Sequence, residues 1–127
     1  MIKKGKVRAS CHCGSIQLDV FLPNGLDKII RCNCSICSRG KGFAMISVPL
    51  QNVKIMEGEK SIAEYIFNTA TAPHFFCIVC GIHIYHKSRT NPDSYCINVA
   101  CINGVDVRDY TDVVINFDGI NHPSDVS

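Results

Sequence analysis

The sequence predicts an all-β domain that is stabilised by bound metal. Short apolar segments with strand-like alternation are separated by turn residues at nearly regular intervals. No segment shows the long apolar period that is typical of an amphipathic helix. Seven of the nine cysteines fall into three tight clusters, and metal bound there would supplement the modest core of a 127-residue chain.

The first half of the chain contains five predicted strands. Residues 15–21 alternate polar and apolar side chains, and the turn residues at 23–25 end this strand. Further strands are predicted at 28–32, 43–48, 53–58 and 63–68. The basic start of the chain, with Lys3, Lys4, Lys6 and Arg8, is predicted to be a solvated strand or arm.

The second half continues the all-β pattern. Phe75 and Phe76 lead into the third cysteine cluster, and strands are predicted at 82–86, 95–100 and 112–117. A short helix is a candidate only after Cys34 or around 104–109. We expect residues 1–127 to form a single zinc-binding domain with loose ends at about 1–6 and 121–127.

Composition and charge narrow the classes of partner. The formal net charge is +2, and it becomes −1 if seven cysteines are thiolates that hold two Zn²⁺ ions. This near-neutral balance gives no support for nucleic-acid binding. No segment has the apolar length of a membrane span, and the N-terminal residues do not resemble a secretory signal. We therefore expect a cytoplasmic protein that has no membrane partner.

The cysteine spacing favours metal over disulfides. The cysteine total is odd. Cys11 and Cys13 are one residue apart, and their side chains would point to opposite faces of a strand unless a turn intervenes. Redox roles and inert buried thiols are the weaker alternatives.

Two of the clusters end in glycine and together offer four thiolates. They are C-x-C-G at 11–14 and C-x-x-C-G at 77–81. Each is a tight turn whose glycine permits a positive φ, and neither pair saturates a zinc ion alone. We predict that Cys11, Cys13, Cys77 and Cys80 bind one structural zinc, which fastens the N-terminal strand to the later sheet.

The middle cluster, C-x-C-x-x-C, offers three thiolates. We predict that Cys32, Cys34 and Cys37 hold a second zinc with one coordination position open, as in catalytic zinc sites. Such a site is a weak Lewis acid and suits a soft fourth ligand, which indicates a small thiol that attacks an electrophile such as an aldehyde. Arg31, Arg39 and Lys41 flank the cluster.

The fourth position could instead be filled by the protein. The candidates are Cys96, Cys101, His74, His83, His86 and His122. Cys96 and Cys101 lie in apolar segments and are predicted to be buried thiols. His12 is expected to point away from the metal between its two neighbouring ligands. No two histidines stand at a spacing typical of metal ligands, which argues against a histidine ligand.

The three clusters resemble those of the glutathione-dependent formaldehyde-activating enzyme family, which also includes centromere protein V. The resemblance rests on C-H-C-G, C-N-C-S-I-C and F-F-C-I-V-C-G, with further similarity at 94–99 and 117–123, and it covers about 11–123. It implies a β-tent fold of short antiparallel strands around two zinc ions. It also implies a structural zinc on Cys11, Cys13, Cys77 and Cys80, and a catalytic zinc on Cys32, Cys34 and Cys37.

The family's activity implies a carbon–sulfur lyase or synthase that interconverts S-hydroxymethylglutathione with formaldehyde and glutathione. Arg39 and Lys41 are candidates to pair with glutathione carboxylates, although both also fit solvated loop charges. The alternatives are a non-catalytic zinc-stabilised module that binds a protein or nucleic acid, and a redox or metal-storage role for the middle cluster. A protein ligand in the fourth position would identify the non-catalytic module.

Overall fold

The computed structural model of this chain describes residues 4–40, 44–66, 72–89 and 91–120. Its described strands are β1 (Gly5–Ser10), β2 (Gln17–Leu22), β3 (Ile29–Cys32), β4 (Ala44–Pro49), β5 (Val53–Glu57), β6 (Ile62–Tyr65), β7 (His74–Cys77), β8 (His83–Lys87), β9 (Ser94–Asn98) and β10 (Val114–Phe117). Its one described α-helix, α1, covers Ser35–Arg39. Its described 3₁₀ helices cover Leu50–Asn52, Glu59–Ser61, Val99–Cys101 and Val107–Val113. The all-β prediction is confirmed.

The strands form two sheets. The smaller sheet has the order β1-β2-β5, and the larger has the order β10-β3-β4-β9-β8-β7-β6. All pairs are antiparallel except β10 with β3, which run parallel from Val114 beside Ile29 to Phe117 beside Cys32. The expectation of antiparallel strands is wrong for this pair, because the chain returns to β3 only after completing the rest of the sheet. The last strand therefore ends beside the middle cysteine cluster.

One hydrophobic core lies between the sheets. Leu18 and Leu22 of β2 are fully buried in the same cluster as Ile29, Ile84 and Ile97 of the larger sheet. The alternation predicted for β2 is therefore confirmed, since Leu18 and Leu22 face inward. A second, smaller apolar cluster contains Cys32, Cys37, Met45 and Cys96.

Two strand boundaries differ from the sequence prediction because a side chain caps the neighbouring 3₁₀ helix. The strand predicted at 95–100 ends at Asn98, whose Oδ1 accepts a hydrogen bond from the Ala100 amide at 3.1 Å. The strand predicted at 112–117 begins only at Val114. The preceding 3₁₀ helix, Val107–Val113, is capped by Asp106, whose carboxylate accepts a hydrogen bond from the Arg108 amide at 3.0 Å.

The described start of the chain forms a strand. β1 begins at Gly5 and pairs with β2, in keeping with the predicted solvated strand or arm. Arg8 Nε donates to Asp19 Oδ1 at 2.7 Å across this pair. The helix predicted after Cys34 is confirmed as α1.

Some predictions lie outside the described residues. These are the loose end at 121–127 with His122, the loop residue Lys41, and the outer ends of the strands predicted at 43–48 and 63–68. No helix in the described part of the chain is long and apolar enough to cross a membrane.

Candidate metal centres and the adjoining groove

The first candidate centre gathers the two glycine-marked turns. Cys11 directly follows β1 of the small sheet, and Cys77 ends β7 of the large sheet. The sulfurs of Cys11, Cys13, Cys77 and Cys80 all lie within 4.8 Å of one another. Gly14 and Gly81 have φ values of 81° and 77°, as the turn chemistry predicts. The four cysteines therefore meet where the two sheets meet.

The sulfur spacing of this group fits a zinc ion. Cys13 Sγ lies 3.6 Å from both Cys11 Sγ and Cys77 Sγ. Neighbouring sulfurs around tetrahedral zinc lie about 3.8 Å apart for a Zn–S distance of about 2.3 Å, whereas a disulfide would bring them to about 2.05 Å. The amides of Val79 and Cys80 point at Cys77 Sγ at 3.4 and 3.5 Å. Such amides stabilise a thiolate, and hence a bound cation.

Cys11, Cys13 and Cys80 differ in acidity. Burial raises the pKa of Cys11 to about 11. Burial also acts to raise the pKa of Cys80, but backbone hydrogen bonds from Cys13 and Ile82 and the neighbouring thiols outweigh it and lower this pKa to about 6. The hydroxyl of Ser15 lowers the pKa of Cys13. Cys13 and Cys80 are therefore more acidic than Cys11, and a bound ion would favour ionisation of Cys11 as well.

The second candidate centre is formed by one strand end and one helix. Cys32 ends β3, Cys34 precedes the first residue of α1, and Cys37 lies within α1. Their three sulfurs lie within 4.8 Å of one another. The Cys34 amide points at Cys32 Sγ at 3.4 Å. The C-x-C-x-x-C spacing thus converges its sulfurs locally, as the sequence predicts.

Acidity in this cluster depends on burial and on helix amides. Burial raises the pKa of Cys32 and of Cys37, and for Cys37 the nearby charge of Cys34 adds to the effect. Burial also acts against ionisation of Cys34, but the backbone N–H groups of Cys37 and Ile36 and the adjacent thiols lower its pKa overall. Cys34 is therefore more acidic than Cys32 and Cys37 before metal arrives.

No fourth cysteine, histidine or carboxylate joins this trio within the same 4.8 Å among the described residues. Cys96 is buried beside Cys32 and Cys37, and burial raises its pKa to about 11. Cys101 lies in the main core, where burial raises its pKa to about 12. Their predicted burial is confirmed.

The three-cysteine cluster opens on a groove of about 480 Å³, within the size range of small-molecule sites. The groove is lined by Arg31, Cys32, Asn33, Ser38 and residues 116–118. The sequence offered Arg39 as a contact for substrate carboxylates but favoured a solvated charge at this position. Arg39 is exposed on α1 and does not line this groove, whereas Arg31 does.

Asn33 fixes one wall of the groove, a role that the sequence analysis missed. Its Oδ1 accepts hydrogen bonds from the amides of Gly119 and Ile120 at 2.6 and 3.1 Å. Its Nδ2 donates to Asp118 Oδ1 at 3.3 Å. A Cβ on Gly119 would overlap Cys32 Sγ and would lie 2.8 Å from the Cys34 Cβ. Only the family-like stretch at 117–123 hinted at this contact in the sequence.

None of the histidines in the described part of the chain completes the three-cysteine cluster. His74, His83 and His86 instead form a separate group, with one ring nitrogen of each within 4.8 Å of the others. Their spacing in the sequence did not predict this group, because they meet only through the pairing of β7 with β8. His12 is exposed, in keeping with a side chain that points away from the metal.

Comparison with known proteins agrees with this geometry. The family model described as glutathione-dependent formaldehyde-activating enzyme matches residues 6–114. A Penicillium rubens protein is 28% identical over 65% of this chain and 44% of its own length. An Emericella nidulans protein is 27% identical over 61% of this chain and 40% of its own length. Both are provisionally named glutathione-dependent formaldehyde-activating enzymes, and the chain spans less than half of either.

The fold also matches a solved structure. A crystal structure of a Rhodobacter sphaeroides protein superposes with a TM-score of 0.80 at 38% identity. The match covers 84% of this chain and 97% of the other.

Proposed function

The chain belongs to the glutathione-dependent formaldehyde-activating enzyme family, and on this basis we propose that it is a zinc-dependent carbon–sulfur lyase or synthase. Its substrate would be a thiol–aldehyde adduct such as S-hydroxymethylglutathione. The observation that carries the proposal is the three-cysteine cluster beside the groove: three grouped sulfurs, no fourth protein ligand among the described residues, and space for a small molecule. A non-catalytic module would need that fourth ligand.

The reaction forms or breaks one carbon–sulfur bond without redox change. In the synthetic direction the thiol sulfur bonds to the carbonyl carbon, and the thiol proton ends on the former carbonyl oxygen. The reverse reaction breaks the same bond and returns the proton to sulfur. A zinc ion on Cys32, Cys34 and Cys37 would supply a soft centre that holds the substrate sulfur as a nucleophilic thiolate.

Charged residues of the groove suit a glutathione-like substrate. Arg31 and Asp118 line it with opposite charges. Glutathione carries two carboxylates and one ammonium group, so we assign a carboxylate to Arg31 and the ammonium to Asp118. Asn33 positions Asp118 through its Nδ2 hydrogen bond.

The four-cysteine cluster would hold the other zinc in a structural role. Its ligands, Cys11, Cys13, Cys77 and Cys80, supply a complete tetrahedral set from two sheets. The shared core supports one domain over 1–127. We propose a cytoplasmic location, because cysteines that are to bind metal stay reduced there.

Cobalt substitution tests the proposed function. Co²⁺ at Cys32, Cys34 and Cys37 gives thiolate charge-transfer absorption, and added glutathione should intensify it as a further thiolate binds. Exchange of formaldehyde with glutathione, followed by NMR, should then be faster with the zinc protein than without it. A spectrum that ignores every thiol tested, or Cys96→Ser abolishing the cobalt spectrum, would show a closed non-catalytic centre.

Two arginine variants distinguish a direct contact with glutathione from a general effect of net charge on its binding. Arg31→Gln should weaken glutathione binding by roughly tenfold, about the 1–2 kcal/mol of a charge-assisted contact. Arg39→Gln removes the same charge from α1, outside the groove, and should leave binding unchanged. Equal effects of the two variants would reject Arg31 as the carboxylate contact.

A further inference from the structure

We propose that His74, His83 and His86 form a third metal site, which binds Zn²⁺ or a similar borderline divalent ion through three imidazoles and leaves one coordination position open. The proposal is independent of the carbon–sulfur chemistry, because none of the three histidines belongs to either cysteine cluster.

Strand pairing brings the three histidines together. His74 of β7 lies opposite His86 of β8, so both side chains share one face of the sheet. His83 is three residues before His86 and would face the other way in a regular strand. Between them Phe75 pairs with Tyr85 and Phe76 with His83, which leaves one extra residue on β8. This β-bulge resets the alternation and turns His83 toward the other two histidines.

The ring nitrogens are spaced as metal ligands. His74 Nδ1 lies 3.4 Å from His83 Nε2. Two nitrogens bound to tetrahedral zinc at about 2.0–2.1 Å lie about 3.4 Å apart. The His74 and His86 rings stack at 4.6 Å, and His83 lies 5.1 Å from His74 and 5.8 Å from His86, between ring centroids. One ion can therefore contact all three rings with small side-chain adjustments.

The surroundings keep the rings in their ligand form. His74 and His86 are only 5% and 7% exposed, whereas His83 is half-buried and offers the side by which an ion can enter. Burial, together with the neighbouring histidines, lowers the pKa of His74 to about 4 and of His86 to about 3. Burial also lowers the pKa of His83. Neutral imidazole is the form that binds metal, and burial favours the neutral form of these rings.

The donor set selects the class of metal. Three nitrogens without a carboxylate suit Zn²⁺, Co²⁺ or Cu²⁺ and do not suit Mg²⁺ or Ca²⁺. Three neutral ligands leave the ion its full charge of +2, unlike a site of three thiolates. Such an ion favours an oxygen ligand, such as water or the carbonyl oxygen of a small aldehyde, in its open position.

The site lies on the large sheet close to the three-cysteine cluster. His86 pairs with Cys96 on β9, and Cys96 packs against Cys32 and Cys37. The ion bound by the three histidines would therefore lie near the three-cysteine cluster, with Cys96 between the two sites.

Metal counting on the full chain tests this site. Native mass spectrometry of the zinc-loaded protein, titrated with further Zn²⁺, should show one ion beyond those held by the cysteine clusters. His83→Gln should lose one ion, while the matched variant His12→Gln, which removes an exposed histidine, should keep it. If the three-cysteine cluster binds no zinc, every total falls by one and this difference persists. Equal numbers of bound ions in the wild type and in His83→Gln would overturn the site.

A spectroscopic readout on the wild type does not depend on any variant folding. With both cysteine clusters filled by zinc, added Co²⁺ should develop d–d bands without thiolate charge transfer. In ¹⁵N-labelled protein, Zn²⁺ added at the same stage should shift the ring-nitrogen resonances of His74, His83 and His86 and leave those of His12 in place. Resonances of the three histidines that stay fixed would mean that they form only a hydrogen-bonded group.

Discussion

The two cysteine clusters use the same ligand atoms but differ in what they join. Cys13 and Cys77 are 64 residues apart in sequence and in contact across the two sheets. Cys32, Cys34 and Cys37 come from one strand end and the helix that follows it. Ligands from distant segments make the metal a cross-link that closes a long loop. Ligands from one segment restrain only a short length of chain. A metal ion held by them would have one side facing the groove.

The largest expected effect is a difference in folding stability between cysteine variants of the two clusters. Cys77→Ala should prevent folding, because a structural zinc contributes on the order of 10 kcal/mol to a small domain and Cys77 is fully buried. Cys34→Ala should leave a folded protein, since the local cluster adds little to the fold. Circular dichroism and thermal melts measure both. Equal destabilisation would remove the distinction, because both metals would then be structural.

Metal lability should show the same contrast. Under graded chelator, the ion on Cys32, Cys34 and Cys37 should leave first, at a concentration at least about tenfold lower, which corresponds to 1.4 kcal/mol. It would have three protein ligands and lie beside the open groove, whereas the other ion would have four protein ligands. Native mass spectrometry resolves the loss of each ion. Simultaneous loss of both would argue against an open centre.

The wall of the groove provides a smaller effect. Asn33→Ala removes the acceptor for the Gly119 and Ile120 amides and should cost roughly 1–3 kcal/mol. It should also weaken thiol binding at the three-cysteine cluster. Asn33→Asp keeps the acceptor for the two amides but places a second negative charge beside Asp118. At low pH one of these two carboxyl groups is protonated and the repulsion is relieved. Asn33→Asp should therefore retain more stability than Asn33→Ala at low pH. Thermal melts and thiol titration of both variants test this, and an unchanged melt for Asn33→Ala would reject the hydrogen bonds as a fixed wall.

The smallest expected effect concerns only the order of thiol labelling. After mild chelation has emptied the three-cysteine cluster, iodoacetamide should modify Cys34 before Cys37, because the pKa of Cys34 is lowered and that of Cys37 is raised. As pH rises, labelling of Cys34 should therefore reach its plateau first. Peptide mass spectrometry after short pulses gives the order. Labelling of Cys37 first would contradict the assignment of helix amides to Cys34.

Much of the cysteine chemistry could be predicted because it is local. The C-x-C-G and C-x-x-C-G turns fix their own sulfurs within a few residues, and C-x-C-x-x-C converges its three sulfurs across one strand end and α1. Alternating apolar residues in β2 likewise predicted its buried face. These features depend on bonds and turns within one short segment.

The groove could not be predicted because it depends on distant segments. Arg31, rather than Arg39, faces it because β10 returns parallel to β3 and carries residues 116–118 to that side. Side-chain caps at Asn98 and Asp106 moved two strand ends, and each cap is a single hydrogen bond that an alternation pattern does not record.

The sequence by itself determined the all-β class, the division of seven cysteines into four and three, and the family. The tertiary structure alone decided how β10 closes the groove and how His74, His83 and His86 meet. The physical reason is the period of a strand. Side chains alternate every two residues, so spacing predicts a shared face only while the register is unbroken. The bulge on β8 breaks that register and brings His83 beside His86, which makes a ligand group that spacing could not predict.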